Sequence, residues 1–284
     1  MRLNYDTFTG RRSAFVCVAL VLILLTWSAY AVFSEQIVNL LSPHMGKNML
    51  VAAQFLIQDG LVVLSVLIAA LFTDKKYSLK EKMGLSIAPE YSLRFLFPVF
   101  VLAVVVTLGA QTGLTYLLKA VGHEPKEQSI VEFFRTLKPL AFFGFALISV
   151  IAAPIAEELA FRHIFYRFVR FFLYKKEAAV VVSLVFALFH VSLPTLVQTK
   201  PFPWEMLVIP VIPLFILALF LQWQYEKSKS IIPSMLIHAG FNLINVLLLM
   251  LSLIYATPPQ EKTAEPSDLE EAPVQAVIQW DYNG

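Results

Sequence analysis

Few residues in this chain can do chemistry, and their spacing is informative. The segment "IAAPIAEELAFRHIFYR", residues 151–167, carries adjacent glutamates, Glu157 and Glu158, with Arg162 four positions after the second. Charged groups at the centre of a bilayer cost roughly 2.5–3.5 kcal/mol each on insertion scales, so three of them within six positions need a reason. Two more segments repeat the pattern. "FALFH" sets Phe186 and His190 four apart, and "HAGFN" sets His238 and Asn242 four apart. Residues four apart lie on one face of a helix, so each segment presents a compact polar or polar-aromatic patch.

The residue types suit hydrolysis. Glu158 and Arg162 can pair along one face, while Glu157 diverges by about 100° and projects elsewhere. Removing water from a carboxylate strengthens it as a base, which suits activation of a water. His190 and His238 can hydrogen-bond that water or a developing oxyanion, and Asn242 supplies an amide donor for the same charge. Two histidines and a carboxylate, here Glu157, His190 and His238, can equally hold a zinc ion. The bland reading of each patch is packing: a buried Glu–Arg pair as glue between helices, a lone histidine as a satisfied core residue, Phe186 as filler. Joint occurrence in one chain weighs against it. Asp59, with Gln54 and Gln58, is expected to bond neighbouring helices. His163 is expected at an interface, facing away from Glu158, and Asn245 to continue the packing face of Asn242. His44 and His123 lie in loops and carry no signal.

The elements that must hold these patches are membrane helices. Of the 284 residues, 58% are hydrophobic and only 15% charged, and the mean hydropathy is +0.71; soluble proteins are nearer a quarter charged. Apolar runs at about 14–33, 49–72, 95–118, 146–172, 177–196, 204–224 and 233–255 are each of a length that can span a hydrocarbon core. A further stretch at 139–150 either lengthens the fourth or makes an eighth element. The expectation is an all-α polytopic bundle of about seven to eight helices enclosing a membrane-embedded cavity. Basic residues in the N-terminal segment and in the 73–94, 167–176 and 225–230 loops put the N-terminus on the cytoplasmic side; in a bacterium the membrane would be the inner one. The first run precedes "AYA" at 29–31, as a cleaved signal would, but its length favours a retained helix. The single cysteine, Cys17, excludes an intrachain disulfide and a CxxC metal site. A net charge of +2 gives no reason to expect a nucleic-acid partner.

Glu157 lies seventeen residues before Tyr174 and His190 thirteen after Glu177, so a hairpin turning at "YKKE" brings both to about 20–25 Å from the turn. His238 and Asn242 enter from the 225–230 loop at a shallower depth, about 12–18 Å on paper. After residue 257 the proline-rich acidic stretch "TPPQEKTAEPSDLEEAP" reads as a disordered tail, 257–284, behind a membrane domain of 1–256.

"EELAFR", "FALFH" and "HAGFN" fit, in order, the EExxxR, FxxxH and Hxxx[NB] motifs of the CPBP intramembrane proteases, which include the CAAX prenyl endopeptidases and bacteriocin-processing enzymes and are also called the Abi family. The chain resembles that family over roughly residues 140–245. The resemblance implies a conical cavity in the membrane, with Glu157 activating water assisted by His190, His238 and Asn242 forming the oxyanion site, and Glu158 and Arg162 orienting it. The implied partners are membrane lipid and a membrane-associated peptide or protein substrate, either prenylated or a precursor. The family is described both as metal-dependent and as glutamate-type; Asn242, a better oxyanion donor than zinc ligand, favours the glutamate form and no cofactor. Two other functions compete: a non-catalytic immunity or scaffold protein, and a proton-coupled transporter. The transporter lacks an evident inverted repeat.

Overall fold

The computed structural model describes residues 11–73, 78–123, 137, 139–191 and 204–255. Within these the chain is helical, with no strand. The helices are α1 (Arg11–Leu41), α2 (Lys47–Phe72), the short α3 (Leu79–Lys82), α4 (Leu96–Ala120, entered through a 3-10 turn at Leu93–Phe95), α5 (139–169), α6 (Lys175–Leu188), α7 (Trp204–Ser228) and α8 (Ile231–Tyr255). Among the described residues, all but α3 and α6 are long and apolar enough to cross a membrane, which gives six candidate spans there where seven were expected in the chain. The chain is an integral, multi-pass helical bundle. The 139–150 stretch lengthens the fourth long helix and adds no separate element. The acidic tail expected at 257–284 lies outside the described residues.

The fifth run departs from expectation. A helix was expected to continue to residue 196, but α6 stops at Leu188 and leaves Phe189 and His190 in a turn. Pro194 lies just beyond; proline cannot continue a helix and disfavours helical geometry at the residue before it. The His190 backbone N–H bonds the Ala187 carbonyl at 3.2 Å, tightening the last turn. Its ring Nδ1 bonds the Phe186 carbonyl at 2.8 Å. The side chain thus satisfies a carbonyl orphaned at the helix end.

The central helix is α5, and its geometry changes along its length. It is α-helical from Pro139 to Leu147, π-helical at Ile148–Ala152, α-helical at Ala153–Glu157 and π-helical again at Glu158–Phe165. Around it, α1 and α2 pack as a hairpin on one side, linked by Thr26 and Ser65 hydroxyls at 3.1 Å. The pair α7 and α8 packs with α4, and α6 lies against α7 and the second π segment. The main apolar core joins α1, α2, α5 and α6, with Ala156, Leu159, Ala160 and Ile164 buried against Val62, Val66, Ala69 and Ala70.

A polar latch at the end with the basic loops sets where α8 begins. Ser78 and Glu81 form a reciprocal capping box that starts α3. Gly84 then turns the chain with φ +68°, and its carbonyl accepts from Ser230 Oγ and the Ile231 N–H, both at 2.9 Å. Ala88 N–H bonds the Ser228 carbonyl at 2.8 Å. Tyr91 donates to Gln224 at 2.7 Å, and burial pushes its phenol up from the usual range. His163, expected at an interface, is buried here instead, 3% exposed. Its Nε2 reaches the Lys82 carbonyl at 2.7 Å and its Nδ1 the Tyr225 hydroxyl at 3.3 Å. The α3 turn is folded over His163 and covers a residue that sequence position alone would leave at the surface. His238 lies two turns beyond this latch, so the latch fixes its depth.

Candidate active site

Glu158, at the start of the second π segment, is fully buried. Its Oε2 lies 3.4 Å from Arg162 Nε, one turn on, and its Oε1 lies 3.1 Å from His238 Nδ1. The paired acid therefore does two things: it neutralises Arg162 and anchors an imidazole arriving on α8. Arg162 is also fully buried. Its guanidinium stacks 4.5 Å above the Phe186 ring, and none of its three nitrogens has a hydrogen-bond partner among the described residues.

Glu157 ends the α segment and points to another face. Its side chain is 25% exposed, and its Oε2 lies 3.8 Å from His190 Nε2 and 3.7 Å from His238 Nε2. Both rings present the same nitrogen to it because their other nitrogens are committed, His190 Nδ1 to the Phe186 carbonyl and His238 Nδ1 to Glu158. Phe186 is fully buried beneath the group. Its ring centroid lies 4.7 Å from that of His190, 5.7 Å from that of His238 and 5.2 Å from that of Phe161. Six of the seven residues singled out in sequence thus form one contiguous cluster from α5, α6 and α8. His190, 33% exposed, and Glu157 form its open edge.

Asn242, the seventh, occupies an adjoining position. Its Nδ2 donates to the Ser149 carbonyl at 2.8 Å. The cause lies in the backbone of α5. Ala153 N–H bonds Ile148 O in the five-residue π register; the next donor in that register would be residue 154, which is proline and has no N–H. Ser149 O is left without its helical donor, and the Asn242 amide supplies one. One of the two amide N–H groups expected to serve an oxyanion is therefore already engaged, a commitment no motif spacing could reveal. Gly240, between His238 and Asn242, lets Phe100 of α4 approach; a Cβ there would stand 2.7 Å from the ring. Asn245 bonds its own helix, at Phe241 O.

Sequence reasoning assigned Asp59 and Gln54 to bonds between helices. Among the described residues, Asp59 Oδ2 and Gln54 Oε1 are instead buried without a hydrogen-bond partner. The donor chemistry of Glu157, His190 and His238 suits zinc. The two histidine nitrogens lie 3.8 and 3.7 Å from one Glu157 oxygen, a few tenths wider than the ~3.4 Å between neighbouring ligands on a tetrahedral zinc, and among the described residues no three such side chains form a ready-made metal site.

Fold and site together define a multi-pass helical membrane protein whose buried acid–imidazole cluster is built on one irregular helix and closed by two others. Residues 139–244, which carry all seven positions, match the family model for the Rce1-like type II CAAX prenyl endopeptidases. Over these residues the chain is similar to that endopeptidase family, and the match leaves out the membrane helices on its N-terminal side. No curated protein and no solved structure matches the chain.

Proposed function

We propose that the protein is an intramembrane endopeptidase in which Glu157 activates the attacking water. The observation that carries this reading is the convergence of His190 Nε2 and His238 Nε2 on one oxygen of Glu157, with both Nδ1 atoms already committed. Glu157 Oε2 and His190 Nε2, 3.8 Å apart, are then two acceptors facing each other across a gap that one water can bridge, donating to both. Such a water directs its lone pairs away from the pair of acceptors, toward a substrate carbonyl. Attack on the carbonyl carbon passes a proton to Glu157, which returns it to the leaving amine. Asn242 retains one N–H for the oxyanion, and His238, with Glu158 holding its Nδ1–H, donates on that side from Nε2 only with both ring nitrogens protonated. Glu158, Arg162 and Phe186 orient the histidines and touch no reacting atom.

The domain boundary at about residue 256, the cytoplasmic N-terminus and the absence of a required metal belong to the same proposal. The substrate class is a membrane-associated peptide, with prenylated CAAX-type C-termini the first to try given the family's description. Glu157→Gln tests the mechanism. General-base removal costs about 10²–10⁴-fold in rate, and the thermal midpoint should stay within a few degrees of wild type. Retained cleavage by purified Glu157→Gln refutes water activation by this residue. If cleavage is lost on chelation and restored by one zinc per chain, the metal-free part of the reading fails. A biological function that survives the substitution would indicate a scaffold or immunity protein instead.

A further inference from the structure

Asp59 is left over by the mechanism. It stands about 18 Å into α2, counted from Lys47, among the costliest placements for a carboxylate. No cation compensates it: among the described residues it enters no ion pair, and Oδ2 is buried without a hydrogen-bond partner. Glu157, another acid, lies within electrostatic reach. A residue serving as glue between helices would show the opposite, a satisfied acceptor or an opposite charge.

Its level in the bundle is fixed by the packing of α2 on α5. Phe55 meets Phe145 at 6.0 Å, and Val62 and Val66 share a core with Ala156 and Leu159. The two helices run in the same direction, so Asp59 falls beside the first π segment, 148–152. That is the stretch whose Ser149 carbonyl Asn242 occupies from the α8 side. Asp59 and Asn242 therefore flank the same length of α5, one to two turns along its axis from Glu157. A peptide held at Glu157 and continuing along α5 passes Asp59. Its backbone N–H groups are largely cut off from bulk water at that depth and gain from an acceptor in the protein.

We propose that Asp59 is a substrate-binding residue: its carboxylate accepts a backbone N–H of the bound peptide beyond the scissile bond. This rests on the endopeptidase reading and adds α2, outside the matched segment, to the site. The test uses the full chain in lipid nanodiscs and an internally quenched farnesylated CAAX peptide, with N-methylated versions at successive positions. Asp59→Leu should raise KM about ten-fold or more, the usual effect of leaving a buried donor without its acceptor, with kcat within three-fold and a thermal midpoint equal to or above wild type. One N-methylated peptide should show the same KM penalty on wild type and none on Asp59→Leu. An unchanged KM, a loss confined to kcat, or a midpoint that falls with activity overturns the proposal. These are measured with Glu157 intact, so cleavage retained in Glu157→Gln would sink the water-activation reading and leave the Asp59 result standing.

Discussion

The Glu158–Arg162 pair allows a prediction worked from the structure. Both side chains are 0% exposed and 3.4 Å apart, and the guanidinium nitrogens have no hydrogen-bond partner among the described residues. At an effective dielectric of about 20, unit charges about 4 Å apart attract by about 4 kcal/mol. Removing one member of a buried pair costs about 3–5 kcal/mol, because the other is left charged and unsolvated. Glu158→Gln keeps the volume and can still accept from His238, so its loss isolates the charge. The expected destabilisation is about 3–5 kcal/mol, measured as unfolding in mixed micelles followed by tryptophan fluorescence. Arg162→Met should cost a similar amount. The double variant should be more stable than either single one, since replacing a whole buried pair is often near neutral. It should still cleave poorly, because His238 has lost its charged anchor. If Glu158→Gln falls within about 1 kcal/mol of wild type, or if the two losses simply add in the double variant, the pair does not act as described.

Phe186→Ala should cost about 3–5 kcal/mol and abolish cleavage, whereas Phe186→Leu should keep most of the stability yet cut kcat, because only a ring can support both imidazoles and the guanidinium. Gly84→Ala forces a positive φ that costs about 1–2 kcal/mol and puts a Cβ 2.5 Å from His163 Nδ1. His163→Ala in that background should recover the clash and leave the backbone cost, read as a partial return of the thermal midpoint. Pro154→Ala restores an N–H in register with Ser149 O and competes with Asn242, so the midpoint should hold or rise while cleavage falls. An unchanged rate would show that Asn242 needs no such anchor.

The membrane helices were legible because long apolar runs are a strong signal, and the seven candidate positions stand out because charged and amide groups in such runs are rare. Helical spacing also placed Glu158 against Arg162 correctly, since a pair four apart in one helix needs no tertiary knowledge. What spacing could not give was how α6 ends. His190 reads as one turn along a helix from Phe186, but it sits in the turn after the helix and reaches back to the Phe186 carbonyl. His163 was misplaced for a related reason: only the folded α3 turn, pinned by Gly84 and the 228–231 segment, shows that it is covered. Asp59 was assigned a helix-linking bond because such bonds are the common fate of polar residues in membranes, but among the described residues its buried Oδ2 has no hydrogen-bond partner.

The irregularity of α5 accounts for why the two glutamates differ. In an unbroken α-helix, Pro154 would cost about 3 kcal/mol through its missing donor and its ring. Here the chain enters residue 154 from a π segment, and the one carbonyl left without a donor, Ser149 O, becomes the docking point for Asn242. The return to α geometry lasts five residues and ends at Glu157; the second π segment begins at Glu158. The acids thus sit on either side of a change in helical pitch, one turned into the core against Arg162 and His238, the other toward the open edge with His190. π segments of this kind recur at functional sites, and here the reason is local. Proline creates a vacancy in the hydrogen-bond ladder, a side chain from another helix fills it, and that contact draws α8, with His238, up against both acids.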